Sequence, residues 1–178
     1  SRGLGDVYKR QRLNVHLEDA NSRKNVNSKE KQKIAQMAYD LIEPNMTVFL
    51  DISTTNIELA KLLVLRPISG ITVVTNMLDV IQILSTSQIH SIFIGGEFDY
   101  ARNGFVGNMC DEFLQRFHFD LSFLGVVGID LESGSVMTYM PNDGQTKRIV
   151  LKQSKKAYML ADSDKFYQMG NYEYAKVD

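Results

Sequence analysis

Apolar and polar positions follow two rhythms along this chain. From Asn27 a helical period places Ile34, Met37, Ala38, Leu41 and Ile42 on one face. Asn27 and Glu30 have the N-cap and N3 spacing of a capping box, and Pro44 with Asn45 marks the stop. Short, continuous apolar runs then alternate with helical stretches. "TVFLDI" is a strand and Ile57 to Leu65 a helix; "ITVVT" is the second strand and Met77 to Leu84 the next helix. "HSIFIGG" and "NMCDEFLQRF" are a third strand and helix, and "LSFLGVVGI" is a fourth strand, broken by glycine near its end. "GSVMTYM" is a short extended segment, Asp143 to Gln153 a helix, and "KAYMLAD" the fifth strand. Strands so uniformly apolar are covered on both faces. The alternation predicts an α/β fold in three layers: a largely parallel sheet with helices on both faces. Neither an internal repeat nor a low-complexity tract interrupts it.

In an open parallel sheet, ligands bind beyond the carboxyl ends of the strands. The residues finishing each strand therefore form a set. The first strand ends in Asp51, with Ser53, Thr54 and Thr55 leading into a helix; the second ends in Thr75 and Asn76. The third ends in Gly95 and Gly96, the fourth in Gly125, Gly128 and Asp130, and the fifth in Asp162, Ser163 and Asp164 before Lys165. Taken singly, a Ser or Thr before a helix is an ordinary N-cap, stabilising by about 1 kcal/mol, and paired glycines supply turns. Taken together, they place helix N-termini suited to phosphate beside glycines that admit close backbone approach. Carboxylates such as Asp51 and Asp130 add acceptors for sugar hydroxyls. A phosphorylated sugar satisfies all three features. Lys147 and Arg148, in the helix after "PNDGQT", are cations within reach of this rim or members of a solvated helix face.

Composition adds boundaries. The chain has 178 residues, 44% hydrophobic and 23% charged, enough for one domain with a proper core. Neither a membrane-spanning run nor a signal-peptide pattern is present in the sequence, so a cytoplasmic protein is expected. Cys110 is the single cysteine, and its "GNMCDEFL" setting favours a small apolar filler over a nucleophile. The three histidines, His16, His90 and His118, are scattered without ligand spacing, so neither a metal nor a cofactor is expected. The net charge of -1 hides an asymmetry. Residues 1–33 carry nine basic and four acidic side chains, a net of +5, against a net of -6 for residues 34–178. Residues 1–26 are polar and aperiodic, a basic linker or arm, and folding is expected over residues 27–178.

The motifs "LDISTTNIELAKLL", "VVTNMLDVIQIL", "IFIGGEF", "FLGVVGIDLESG" and "YMLADSDKF" occur in an order and spacing that resembles the C-terminal sensor domain of DeoR-type bacterial transcriptional repressors. The resemblance runs from about Arg23 to the end. It implies the fold of ribose-5-phosphate isomerase, glucosamine-6-phosphate deaminase and the CoA transferases. It also implies an effector-sensing domain for a phosphorylated sugar or related metabolite, in a homo-oligomer. Operator DNA would be bound only through an N-terminal winged helix-turn-helix domain absent from this sequence, and a last strand would follow "AKVD". By the resemblance, Asp51, Ser53, Thr54 and Thr55 match the phosphate loop, Thr75 and Asn76 the second loop, and Gly95 and Gly96 the double glycine. Gly125, Gly128 and Asp130 match the fourth-strand motif, and Lys147 a lysine of the following helix. Three positions depart from the pattern. Ser53 replaces a glycine, Asp143 a glutamate, and Asp99 stands where a basic residue is usual, with Arg102 nearby as a substitute.

Two other readings compete. An aldose-ketose isomerase or deaminase on the same fold would cast Asp51, Asp130 and Lys147 as proton movers, but histidine is missing from the strand ends and a second carboxylate cluster is lacking. A nucleotide-binding Rossmann domain is disfavoured, because "GGEFDYARNG" is not the glycine fingerprint. Tyr167, Met169, Tyr172 and Tyr174 form either a sticky oligomer surface or an exposed strand edge.

Overall fold

The apolar runs assemble into a five-stranded parallel sheet. The computed structural model describes residues 27–177; the basic arm expected over residues 1–26 lies outside them. Helix α1 (Ser28–Leu41) precedes β1 (Thr47–Leu50), α2 (Thr54–Leu65), β2 (Thr72–Thr75), α3 (Leu78–Leu84) and β3 (His90–Phe93). A small hairpin, β4 (Glu97–Asp99) and β5 (Gly104–Val106), leads to α4 (Asn108–Leu114) and β6 (Phe119–Gly125). Then come β7 (Gly128–Asp130), β8 (Ser135–Thr138), α5 (Pro141–Lys152), β9 (Ser154–Leu160), a 3-10 helix (Ser163–Tyr167) and β10 (Tyr172–Lys176).

The main sheet has the order β3-β2-β1-β6-β9, with every neighbouring pair parallel. Strand pleating divides its side chains between two cores. Val48, Leu50 and Val73 face one layer with Ala35, Ala38, Leu59, Leu63, Val80 and Leu84, from α1, α2 and α3. Phe49 and Val74 face the other, with Cys110 and Leu114 of α4, Val150 of α5, and Ile129, Val136 and Tyr174 of the second sheet. Burying one such Leu, Val or Phe contributes about 1.5–3 kcal/mol, so helices on both faces follow from strands apolar on both faces.

Local chemistry sets the helix starts. Ser53 is the N-cap of α2 and its hydroxyl accepts from Thr55 N–H at 3.2 Å. That cap starts α2 at Thr54, three residues before the periodic apolar positions begin. Pro141 opens α5, where its missing N–H costs nothing.

Several expectations need correction. The capping box does not form: Asn27 is left-handed with no capping bond, and its amide donates to Asp164 instead. Glu30 accepts from the backbone N–H and hydroxyl of Ser163. Tertiary partners have thus outcompeted the local cap. Met37 and Leu41 are 68% and 40% exposed, because the buried stripe of α1 runs through Lys31, Ala35 and Ala38. The expected fourth strand divides at Gly125: β6 ends there, and Gly128–Asp130 joins an antiparallel sheet of order β10-β8-β7. Tyr172 and Tyr174 belong to β10 rather than to a sticky surface; Tyr174 is buried and its hydroxyl donates to Gly125 O at 2.7 Å.

Candidate functional site

The strand order reverses direction at β1, which lies between β2 and β6. Crevices open at such a switch point, between the loops leaving the two central strands. Here those loops are Asp51–Ser53 and Gly125–Val127. They touch closely: a Cβ on Gly125 would lie 2.5 Å from Ile52 O, so only glycine fits. Asn56, fully buried in the first turn of α2, fastens the junction by donating to Asp51 O and Phe123 O at 2.8 and 3.0 Å.

A narrow pocket opens at this junction. It is lined by Ser53, Thr54 and Thr55 at the start of α2, by Ile52, Gly125, Val126 and Val127, and by Thr138 and Leu160. Four cationic residues share it from four elements: Lys31 of α1, Arg102 of the β4–β5 turn, Lys147 of α5 and Lys165 of the 3-10 helix. Asp162 is the one carboxylate in the lining. The free volume is about 20 Å³, room for about one water-sized group. A helix N-terminus with four cations is an anion-attracting arrangement.

Beneath the pocket lies a buried charge network. Lys147, 2% exposed, pairs with Asp51 Oδ2 and sits 3.5 Å from Asp143 Oδ1. Asp51 Oδ2 also accepts from Gly125 N–H at 2.9 Å, and Thr138 donates its hydroxyl to Asp143 Oδ2. Burial pushes the Asp51 carboxyl above its ordinary value, against the opposing pull of Lys147 and of the Gly125 N–H. The Tyr174 phenol is pushed well up by burial, reinforced by the charges of Asp51 and Asp143.

Of the twelve positions expected to form a site, Ser53, Thr54, Thr55, Gly125 and Lys147 line this pocket. Asp51 lies below it, its carboxylate engaged with Lys147 and Gly125. Thr75 and Asn76 are fully buried and structural in their bonding. Thr75 donates its hydroxyl to Leu50 O at 2.7 Å. Asn76 donates to Phe105 O at 2.8 Å and accepts from Phe105 N–H at 2.9 Å. Asn76 thereby anchors the hairpin that carries Arg102. Gly95 and Gly96 lead into that hairpin, and Gly96 packs against Val106 and Cys110. Gly128 lies against Gln168 in the second sheet, and Asp130 closes the β7–β8 turn, accepting from Glu132 N–H at 3.1 Å. None of these last six lines the pocket.

The departure at Asp99 is resolved by the hairpin. Its carboxylate accepts from Ala101 N–H at 3.1 Å within the turn, while Arg102 is 92% buried, stacks 4.2 Å from the Tyr139 ring centroid and reaches the pocket. Asp162 and Lys165, which stood in the strand-end set at the close of the fifth strand, line the pocket, whereas Lys31 had no place in that set. Lys31 had a usable signal: it stands four and seven residues ahead of Ala35 and Ala38, on the buried stripe. Lys147 was expected at a rim or on a solvated face; it is buried, because Asp51 and Asp143 hold it.

The chain belongs to the family of DeoR C-terminal sensor domains, whose profile matches residues 26–178. It is 34% identical over 146 residues to an L-fucose operon activator of Haemophilus influenzae, covering 82% of this chain and 57% of that protein. It is 31% identical over 145 residues to the glycerol-3-phosphate regulon repressor of Escherichia coli K12, covering 81% and 56%. The chain thus spans little more than half the length of these relatives. Ribose 5-phosphate isomerase of Methanocaldococcus jannaschii superposes with a TM-score of 0.55 at 16% identity over 79% of this chain and 55% of that one, a likeness of fold. No helix among the described residues is long and apolar enough to cross a membrane.

Proposed function

We propose that this chain senses a phosphorylated sugar or related metabolite, bound with its phosphoryl group at the start of α2. The carrying observation is the convergence of Ser53, Thr54 and Thr55 with Lys31, Arg102, Lys147 and Lys165 in one pocket. The hydroxyls of Thr54 and Thr55, the positive end of the helix dipole and the surrounding cations suit phosphate oxygens, through short, charge-assisted hydrogen bonds. Because the free volume holds one water-sized group, ligand admission requires the lining side chains to move apart, and Arg102 and Lys165 sit on the hairpin turn and the short 3-10 helix. Names of related proteins, among them a glycerol-3-phosphate regulon repressor, fit a metabolite of this chemistry.

The same reading makes the domain a sensor without turnover. Asp51, the carboxylate an isomerase would use, is occupied by Lys147 and Gly125, and Asp130 does not line the pocket. In the full-length cytoplasmic protein, operator DNA would be contacted by a preceding helix-turn-helix segment. Self-association is part of the proposal; Phe93 and Phe98, 37% and 43% exposed beside edge strand β3, offer apolar surface to a second copy.

Calorimetric titration with pentose, hexose and tagatose phosphates tests the reading. Saturable binding is expected, weakened about tenfold in Thr54→Ala/Thr55→Ala by loss of hydrogen bonds to a charged group, with circular dichroism unchanged. Flat thermograms across the panel, or equal affinity in the double variant, refute it.

A further inference from the structure

We propose that Asp162 reads a hydroxyl group of the ligand and so separates phosphorylated sugars from simpler phosphates. This rests on the anion-site reading above and adds its second half. Asp162 follows β9 and is the N-cap residue of the 3-10 helix, yet its side chain makes no capping bond. It is 3% exposed, lines the cationic pocket, and its Oδ1 has no hydrogen-bond partner among the described residues. Its backbone carbonyl accepts from Lys165 N–H at 3.1 Å.

Buried acceptors are nearly always paired, and an exception in a native fold calls for a cause. A ligand donor would complete this one. The phosphoryl group cannot serve, since its dianion brings only acceptors toward a carboxylate. An ammonium is disfavoured by Lys31, Arg102, Lys147 and Lys165 around the same space. A neutral hydroxyl donates its proton to Asp162 without adding charge. The ligand class is therefore a polyhydroxy phosphate ester, anchored by its phosphate at α2 and by a hydroxyl at Asp162. The role expected of Asp51 and Asp130 passes to a residue whose oxygen is available.

Discrimination by a buried polar group is strong when a ligand leaves that group unpaired. The test titrates wild type, Asp162→Asn and Asp162→Ala with three probes. These are the tightest sugar phosphate of the panel, propyl phosphate (which lacks hydroxyls) and inorganic phosphate. Wild type is expected to prefer the sugar phosphate over propyl phosphate by about 10- to 100-fold, the worth of a hydrogen bond to a charged acceptor. Asp162→Ala should abolish most of that preference, while inorganic phosphate binds as tightly or more tightly once the carboxylate is gone. Ligand-free Asp162→Asn should keep the wild-type circular dichroism, since asparagine fills the same space. An unchanged preference in Asp162→Ala overturns the assignment while leaving the anion site standing. No binding of any probe to wild type overturns both.

Discussion

Lys147 shows how a single side chain acquires its role from partners far along the chain. The resemblance picked it out, but its ion pair with Asp51 joins positions 96 residues apart, and no periodicity encodes that. A buried pair is weak evidence for net stability, whereas removing one partner leaves an uncompensated charge and costs about 3–5 kcal/mol. Lys147→Met should therefore destabilise the domain by that amount in chemical denaturation, and adding Asp51→Asn should recover part of the loss. A single variant as stable as wild type would mean that the pair carries nothing. Ser53, by contrast, was fully legible: its hydroxyl caps α2, as the residue type and position foretold.

At the scale of elements, long apolar runs were legible and short ones were not. β1, β2, β6 and β9 follow from continuous hydrophobic stretches. The β4–β5 hairpin has strands of three residues each, bearing Glu97 and Asp99, below the length at which alternation can be recognised. Yet that hairpin delivers Arg102 to the pocket. β10 was half legible: its tyrosines read equally as a sticky surface or a strand edge, and only β8 beside them decides for the strand. Its docking makes a prediction against intrinsic propensity. Gly144 lies inside α5, where alanine normally favours the helix by about 1 kcal/mol. A Cβ there would lie 2.2 Å from Cδ1 of Tyr172, and overpacking costs about 1–3 kcal/mol. The second effect should win: Gly144→Ala lowers the melting temperature, and Tyr172→Ala added to it relieves the clash. A rise in melting temperature for the single variant would show that Tyr172 yields freely.

For the whole molecule, the core that holds Cys110 and Tyr174 sets a pH limit. Cys110 is fully buried, and desolvation, with smaller contributions from Asp111 and Asp51, pushes its thiol from an ordinary 9.0 up to about 12. The unfolded chain therefore releases this proton at a lower pH than the folded one. Between those values the unfolded state binds fewer protons, so stability falls as pH rises. Tyr174 acts in the same direction at still higher pH, being raised above its ordinary 10.0. Denaturation midpoints should decline from pH 9 upward, with a shallower decline in Cys110→Ala. A flat profile between pH 9 and 11 would contradict the burial argument.

The contacts of Asn27 and Glu30 with residues 163 and 164 have a consequence beyond helix stability. They put the upstream flank of α1 mechanically in series with the wall that holds Asp162 and Lys165. Tension or restraint applied before residue 27 must then alter how readily the pocket accepts its guest. Thermodynamic linkage makes that influence equal in the opposite sense, one coupling free energy read at either end.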